Sequence, residues 1–126
     1  MIYLSDDTVG FSAMWYEMFA ADSAPLGLYV VNQSGSSPAG MHGNVNAVTF
    51  ERGQWHKVEI YQKQGSSNNG VIRVWVDGTL AIDRSDVDTR GTPFDNVTIS
   101  GIWGGVGDVK NQADYMRFDH IRISRR

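Results

Sequence analysis

The chain contains no cysteine, which excludes disulfide staples and every thiolate metal site. Positive charge is not in excess either. The net charge is −3, so there is no basic footprint for nucleic acid, and the cations are scattered apart from Arg125-Arg126 at the end. No apolar run is long enough to cross a bilayer. Neither nucleic acid nor a membrane is therefore an expected partner. The opening "MIYLSDDTVGF" lacks the basic and apolar regions of a signal peptide. The expectation is a chain that stays inside the cell or one that begins downstream of its export signal. Helical periodicity is missing too, because no window keeps an i, i+3, i+4, i+7 apolar stripe between caps.

What is present favours β structure. The 126 residues hold fourteen glycines, only three prolines and many β-branched and aromatic residues, the composition of strands divided by turns. That length suits a single domain, residues 1–126, able to bury a core unaided. Strands are expected at 11–19, 26–32, 45–51, 54–63, 71–77, 79–83, 95–103 and 115–124. Loops are expected at 33–44, 85–93 and 104–114. The clearest hairpin is 54–77 around "QGSSNNG", and Asp77-Gly78 starts a second, tight turn. In that hairpin Val58, Ile60, Ile72, Val74 and Val76 form the inward set. Lys57, Glu59, Tyr61, Lys63, Arg73 and Trp75 face outward, with Glu59 expected against Arg73 and Tyr61 against Trp75. Eight or so such strands make an all-β sandwich of two antiparallel sheets, of jelly-roll type.

Four stretches in order, "GQWHKVEIYQK", "GVIRVWVDGTLAID", "ISGIWGG" and "YMRFDHIRIS", resemble the concanavalin A-like lectin and glucanase superfamily. The closest look is to its polysaccharide-lyase-like members that act on alginate or glucuronan-type polymers. The resemblance runs from about residue 11 to residue 124. It implies a front, concave sheet built from 11–19, 26–32 and 95–103 that takes the ligand, and a back sheet built from the W-H and V-D-G strands. Further strands usually precede the equivalent of "FSAMW" in such domains, and none is expected here. Their loss would leave apolar surface or an edge for a second subunit to cover, so a homodimer is expected.

Site residues follow from the same resemblance. Met14 stands where the related lyases carry an arginine for the sugar carboxylate, and Tyr29 keeps the place of one tyrosine while Val31 replaces another. β-Elimination needs that carboxylate neutralised and a base to take the C5 proton, leaving Tyr29 and His42 as the catalytic candidates. Retaining hydrolysis by the E-x-D-x-E route is excluded, because the only glutamates are Glu17, Glu51 and Glu59 and none sits in that pattern. Trp103, beside Gly104-Gly105, matches a sugar-stacking position, with Tyr16, Ser12 and Tyr29 as further contacts and Lys110 and Arg117 as partners for an acidic sugar. Trp75, Tyr61, Arg73 and Glu59 decorate the back sheet, as a plain outer face or as a subunit seam. His56 is expected to be structural, and His120 to be structural or at the surface.

No cofactor is expected. Asp108 and Asp114, with Asn111, are the one oxygen-rich set that calcium would suit, without an EF-hand spacing. Two glycosylation sequons, at Asn32 and Asn96, carry no weight without a secretion signal. Three functions stay open. The first is a carbohydrate-binding domain that has shed the catalytic machinery of its lyase-like relatives. The second is a weak polysaccharide lyase acting on an acidic polymer, and the third is a non-catalytic dimeric scaffold.

Overall fold

The computed structural model describes residues 2–6, 12–19, 26–32, 39–89, 94–99 and 116–124. Their strands are β1 (Ile2–Asp6), β2 (Ser12–Phe19), β3 (Leu26–Asn32), β4 (Ala39–His42), β5 (Thr49–Phe50), β6 (Val58–Lys63), β7 (Gly70–Val76), β8 (Thr79–Val87) and β9 (Asn96–Ile99). They form two antiparallel sheets. One runs β4-β3-β2-β1-β9 with β5 added beside β3, and the other runs β6-β7-β8. The expected front-sheet strands share the larger sheet, and the W-H and V-D-G strands share the smaller one.

Burial explains the arrangement. In β7, Ile72 and Val74 are fully buried and Val76 nearly so, while Arg73 is exposed. These β-branched side chains meet Leu28, Val30 and Phe50 from the opposite sheet, with Ala81, Ile82 and Val87 completing one core. Each fully buried aliphatic side chain contributes about 1.5–3 kcal/mol. The adjacent residues Ala81 and Ile82 are both inside, against the strand period of two. The β7–β8 register shifts between Val74 and Trp75, and again between Gly70 and Ile72. The first shift leaves Ala81 as an extra residue on β8, a bulge that resets the alternation.

Several expectations need correction. A strand, β1, does precede "FSAMW" and sits between β2 and β9. The stretch 33–44 is not all loop, since 39–42 pair with β3. Residues 85–87 belong to β8 rather than to a loop, and strand β6 starts at Val58 rather than at 54. Only Thr49 and Phe50 of 45–51 are strand. Just before them the chain binds the outer edge of β8 without becoming a strand. Asn44 and Val45 donate their amides to Ala81 O, Asn44 exchanges two side-chain bonds of 2.9 Å with the Asp83 backbone, and Asn46 Nδ2 donates to Leu80 O. Asparagine amides thus stand in for a neighbouring strand and cover an otherwise open edge. Residues 116–124 form no strand and are exposed throughout. Their alternating pattern specifies two faces, but a strand also needs a neighbour's backbone, and none of the described strands pairs with them.

The cross-strand partners on the outer face of the small sheet also differ from expectation. The register sets Glu59 opposite Trp75 and Tyr61 opposite Arg73. Arg73 instead pairs with Asp83 at 2.9 Å, and Glu59 with Lys57 at 3.0 Å.

His56 ties the base of the hairpin together. Its Nδ1 lies 2.7 Å from the Asp77 carboxylate and its Nε2 lies 3.0 Å from the Glu51 carbonyl. Both ring nitrogens therefore face acceptors, which only the imidazolium satisfies completely. The Asp77 hydrogen bond, then the Glu51 carbonyl, raise the His56 pKa above its ordinary 6.5. The His56 bond, then the Lys57 amide at 2.8 Å, lower that of Asp77. Asp77 and Gly78 take left-handed backbone angles (φ 50° and 81°), as a type I′ hairpin turn requires. At the far end Thr89, fully buried, accepts the Gly65 amide at 2.9 Å and donates to the Gly65 carbonyl at 3.1 Å.

Three predictions follow from these ties. The stabilisation from charged His56 is complete below its unfolded pKa near 6.5 and is lost as pH rises through the raised folded value. That from Asp77 is present above the usual carboxylate range and is lost as pH falls through its lowered pKa. Urea unfolding between pH 6 and 9 should show stability declining with pH in the wild type and a flatter profile in Asp77→Asn. At Gly65 an added Cβ would run into the Gly70 amide nitrogen, a backbone atom with no room to give. Gly65→Ala should cost about 2–3 kcal/mol, and Thr89→Val about 1–3 kcal/mol, both read from denaturation midpoints.

Candidate functional site on the six-stranded sheet

The outward side of the larger sheet is defined by β3. Leu28 and Val30 are buried in the core, so Gly27 and Tyr29, both half-buried, lie on the other side. Antiparallel partners share a face. Tyr29 has Glu17 of β2 and His42 of β4 as its Cα partners, which gives the row Glu17–Tyr29–His42. The next row on that side crosses five strands through Thr98, Tyr3, Trp15, Val31 and Gly40. The core-side row through Val30 holds Ile99, Ile2, Tyr16 and Met41.

This register sorts the candidates. Tyr29 and His42 come together on neighbouring strands, and His42 belongs to β4 rather than to a mobile loop. Position 16 is the partner of Val30, and positions 12 and 14 keep its parity, with 14 opposite Asn32. Ser12, Met14 and Tyr16 thus fall on the row opposite to that of Tyr29, and the outward row of β2 is Ala13, Trp15, Glu17 and Phe19. Reading the strands one at a time singled out Tyr16. The cross-strand signal that points to Trp15, Tyr3 and Glu17 exists only once β1, β2 and β3 are placed in register. Arg117 is described and exposed. Trp103, Lys110, Asp108 and Asp114 lie outside the described residues.

By register the row sets Glu17 and His42 as the cross-strand partners of Tyr29, next to a row holding Trp15 and Tyr3. Such a set can hydrogen-bond sugar hydroxyls, stack on the C–H face of a pyranose and move a proton. Among the described residues, no group of three or more His, Cys, Asp or Glu side chains is gathered as metal ligands would be.

The opposite face of the molecule carries a second feature. A shallow depression of about 410 Å³ on the outside of the small sheet is lined by Glu59, Ile60, Tyr61, Trp75 and Gly78. Trp55, which precedes the structural His56, is 67% exposed, a solvent-facing indole that strand periodicity alone did not single out. His56 itself is committed to the hairpin, as described above.

Comparison with known proteins adds to this geometry. A search of curated proteins and one of solved structures returned no match. The model of one family, described as polysaccharide lyase, matches residues 18–116. That span takes in β3 to β9, the Tyr29–His42 pair and both turns of the small sheet. With its two-sheet, all-strand architecture and most of its length covered, the chain belongs to the polysaccharide lyase family.

Proposed function

We propose that this protein binds a polysaccharide across the outward face of the six-stranded sheet. The observation that carries the reading is the row Glu17–Tyr29–His42 beside Tyr3 and Trp15, set on the side that the core leaves uncovered. Aromatic rings suit sugar C–H faces, and the flanking acid, phenol and imidazole suit hydroxyls. Trp103 extends this proposal as a further sugar contact, with Lys110 and Arg117 matched to an acidic polymer, whereas Ser12 and Tyr16, on the core-side row, drop out of it. Family membership supports a carbohydrate-related role.

One observation favours a second reading, β-elimination. Tyr29 and His42 are direct cross-strand partners, the spacing at which two proton-handling groups reach one sugar ring. In that reaction one of them takes the C5 proton of a uronic acid. Its electrons form the C4–C5 double bond, the C4–O bond to the leaving sugar breaks, and the leaving oxygen is protonated by the second group or by water. The carboxylate must be neutralised for the C5 proton to be acidic enough, and Arg117 is our candidate for that role.

Titrating tryptophan fluorescence with a panel of acidic and neutral polysaccharides tests the first reading. A saturable change is expected with at least one polymer, weakened roughly three- to tenfold by Tyr29→Phe for the loss of one hydroxyl contact. No response to any polymer would sink it. The second reading is tested on the bound polymer by ultraviolet absorbance of the new double bond. Activity should fall at least a hundredfold in Tyr29→Phe or His42→Ala if either residue moves the proton, and a flat wild-type trace would leave binding alone.

A further inference from the structure

We propose that the outer face of the small sheet is a second polysaccharide site, which takes a uronic acid chain by stacking on Tyr61 and Trp75 and by pairing its carboxylates with Arg73 and Lys63. The register sets Tyr61 opposite Arg73 and Glu59 opposite Trp75. The two aromatic residues are therefore diagonal neighbours, about 7–8 Å apart and within reach of one ligand. Tyr61 is 42% exposed and Trp75 half-buried, and both line the depression on this face. A phenol and an indole lining one shallow hollow suit the C–H faces of sugar rings.

Charge decides which sugar. The face carries Lys57, Lys63 and Arg73 against Glu59 and Asp83, one positive charge in excess on a chain whose net charge is −3. Lys57 is taken by Glu59 at 3.0 Å. Lys63 is exposed, and among the described residues no carboxylate pairs with it. Arg73 is engaged through one nitrogen only. Its Nε donates to Asp83 Oδ1 at 2.9 Å, whereas Arg84 holds Asp86 through both Nε and Nη2. The Arg73 side chain is 44% exposed, and its terminal NH2 groups keep the paired donors that fit a carboxylate.

These cations flank the phenol. Lys63 lies two residues beyond Tyr61 on the same side of β6, and Arg73 lies across from it. Ring surface and cation thus occur together, and a uronic acid presents a C–H face and a carboxylate on one ring. A neutral sugar would leave both cations unused. The ligand class is that of the polysaccharide reading above, but no residue is shared with the Tyr29 row, so the two fail separately.

Calorimetric titration with short oligomers of mannuronate and of glucuronate, and with their carboxyl-reduced neutral forms, tests the site. At least one acidic oligomer should bind, more weakly with added salt and roughly tenfold or more weakly once reduced. Tyr61→Ala with Lys63→Glu, both at exposed positions, should remove one bound oligomer per chain. Tyr29→Phe should leave that oligomer in place. Trp75→Phe keeps an aromatic ring and should retain the affinity while losing the part of the tryptophan fluorescence change that arises here. Unchanged stoichiometry and affinity in the double variant overturn the proposal alone, as does equal binding of the reduced oligomers. No binding of any oligomer overturns it together with the polysaccharide reading. Light scattering that shows a wild-type dimer split by the double variant also overturns it, because the face would then belong to a second copy of the chain.

Discussion

The complete burial of Val30 is the constraint from which the rest of this structure follows. Strand side chains alternate with a period of two, so fixing one residue inside fixes the face of every residue on its strand. Register then carries that choice across the sheet, through Tyr16 and Ile2 on one side and Met41 on the other. Val30 is held in place by the opposing set Ile72, Val74 and Ile82, all fully buried. A slip of one residue in β3 would bury the Tyr29 phenol and expose two core aliphatics, at a cost of several kcal/mol. The outward row is thus maintained by packing on its far side.

The small sheet solves a different problem. Three strands with one polar face have two edges and little core of their own. The β8 edge is closed by asparagine side chains from 44 and 46, and the hairpin ends are tied by His56–Asp77 and Gly65–Thr89. These ties are polar and local, so they set geometry more than they set net stability. They explain why the W-H and V-D-G elements come together. The histidine needs two acceptors, and the aspartate supplies one of them from a left-handed turn.

The row proposed to bind polysaccharide is separated from this scaffold in space. The family match covers strands of both sheets, and the Glu17–Tyr29–His42 row lies on the side of the large sheet away from the core. The small sheet turns its aromatic residues to the opposite side of the molecule. One chain therefore carries two unlike rows, Glu17, Tyr29 and His42 on the large sheet and paired charges around an indole on the small one.

Much of this was legible from the residues themselves. The all-β class, the inward set of β7, the Asp77-Gly78 turn, the structural role of His56 and the sharing of one sheet by 12–19, 26–32 and 96–99 all rest on local signals or motif order. Alternation and turn chemistry act over a few residues, and a sequence records them directly. Pairing is not local. The use of Ile2–Asp6 as an inner strand, the His42–Tyr29 partnership and the choice of Trp15 over Tyr16 for the outward row depend on which strands meet and in what register. So do the exchange of Glu59 for Asp83 beside Arg73 and the failure of 116–124 to join a sheet. Backbone hydrogen bonds are the same for every residue, so no side chain encodes its partner by itself. Only the summed burial of the assembled core selects one register over the next.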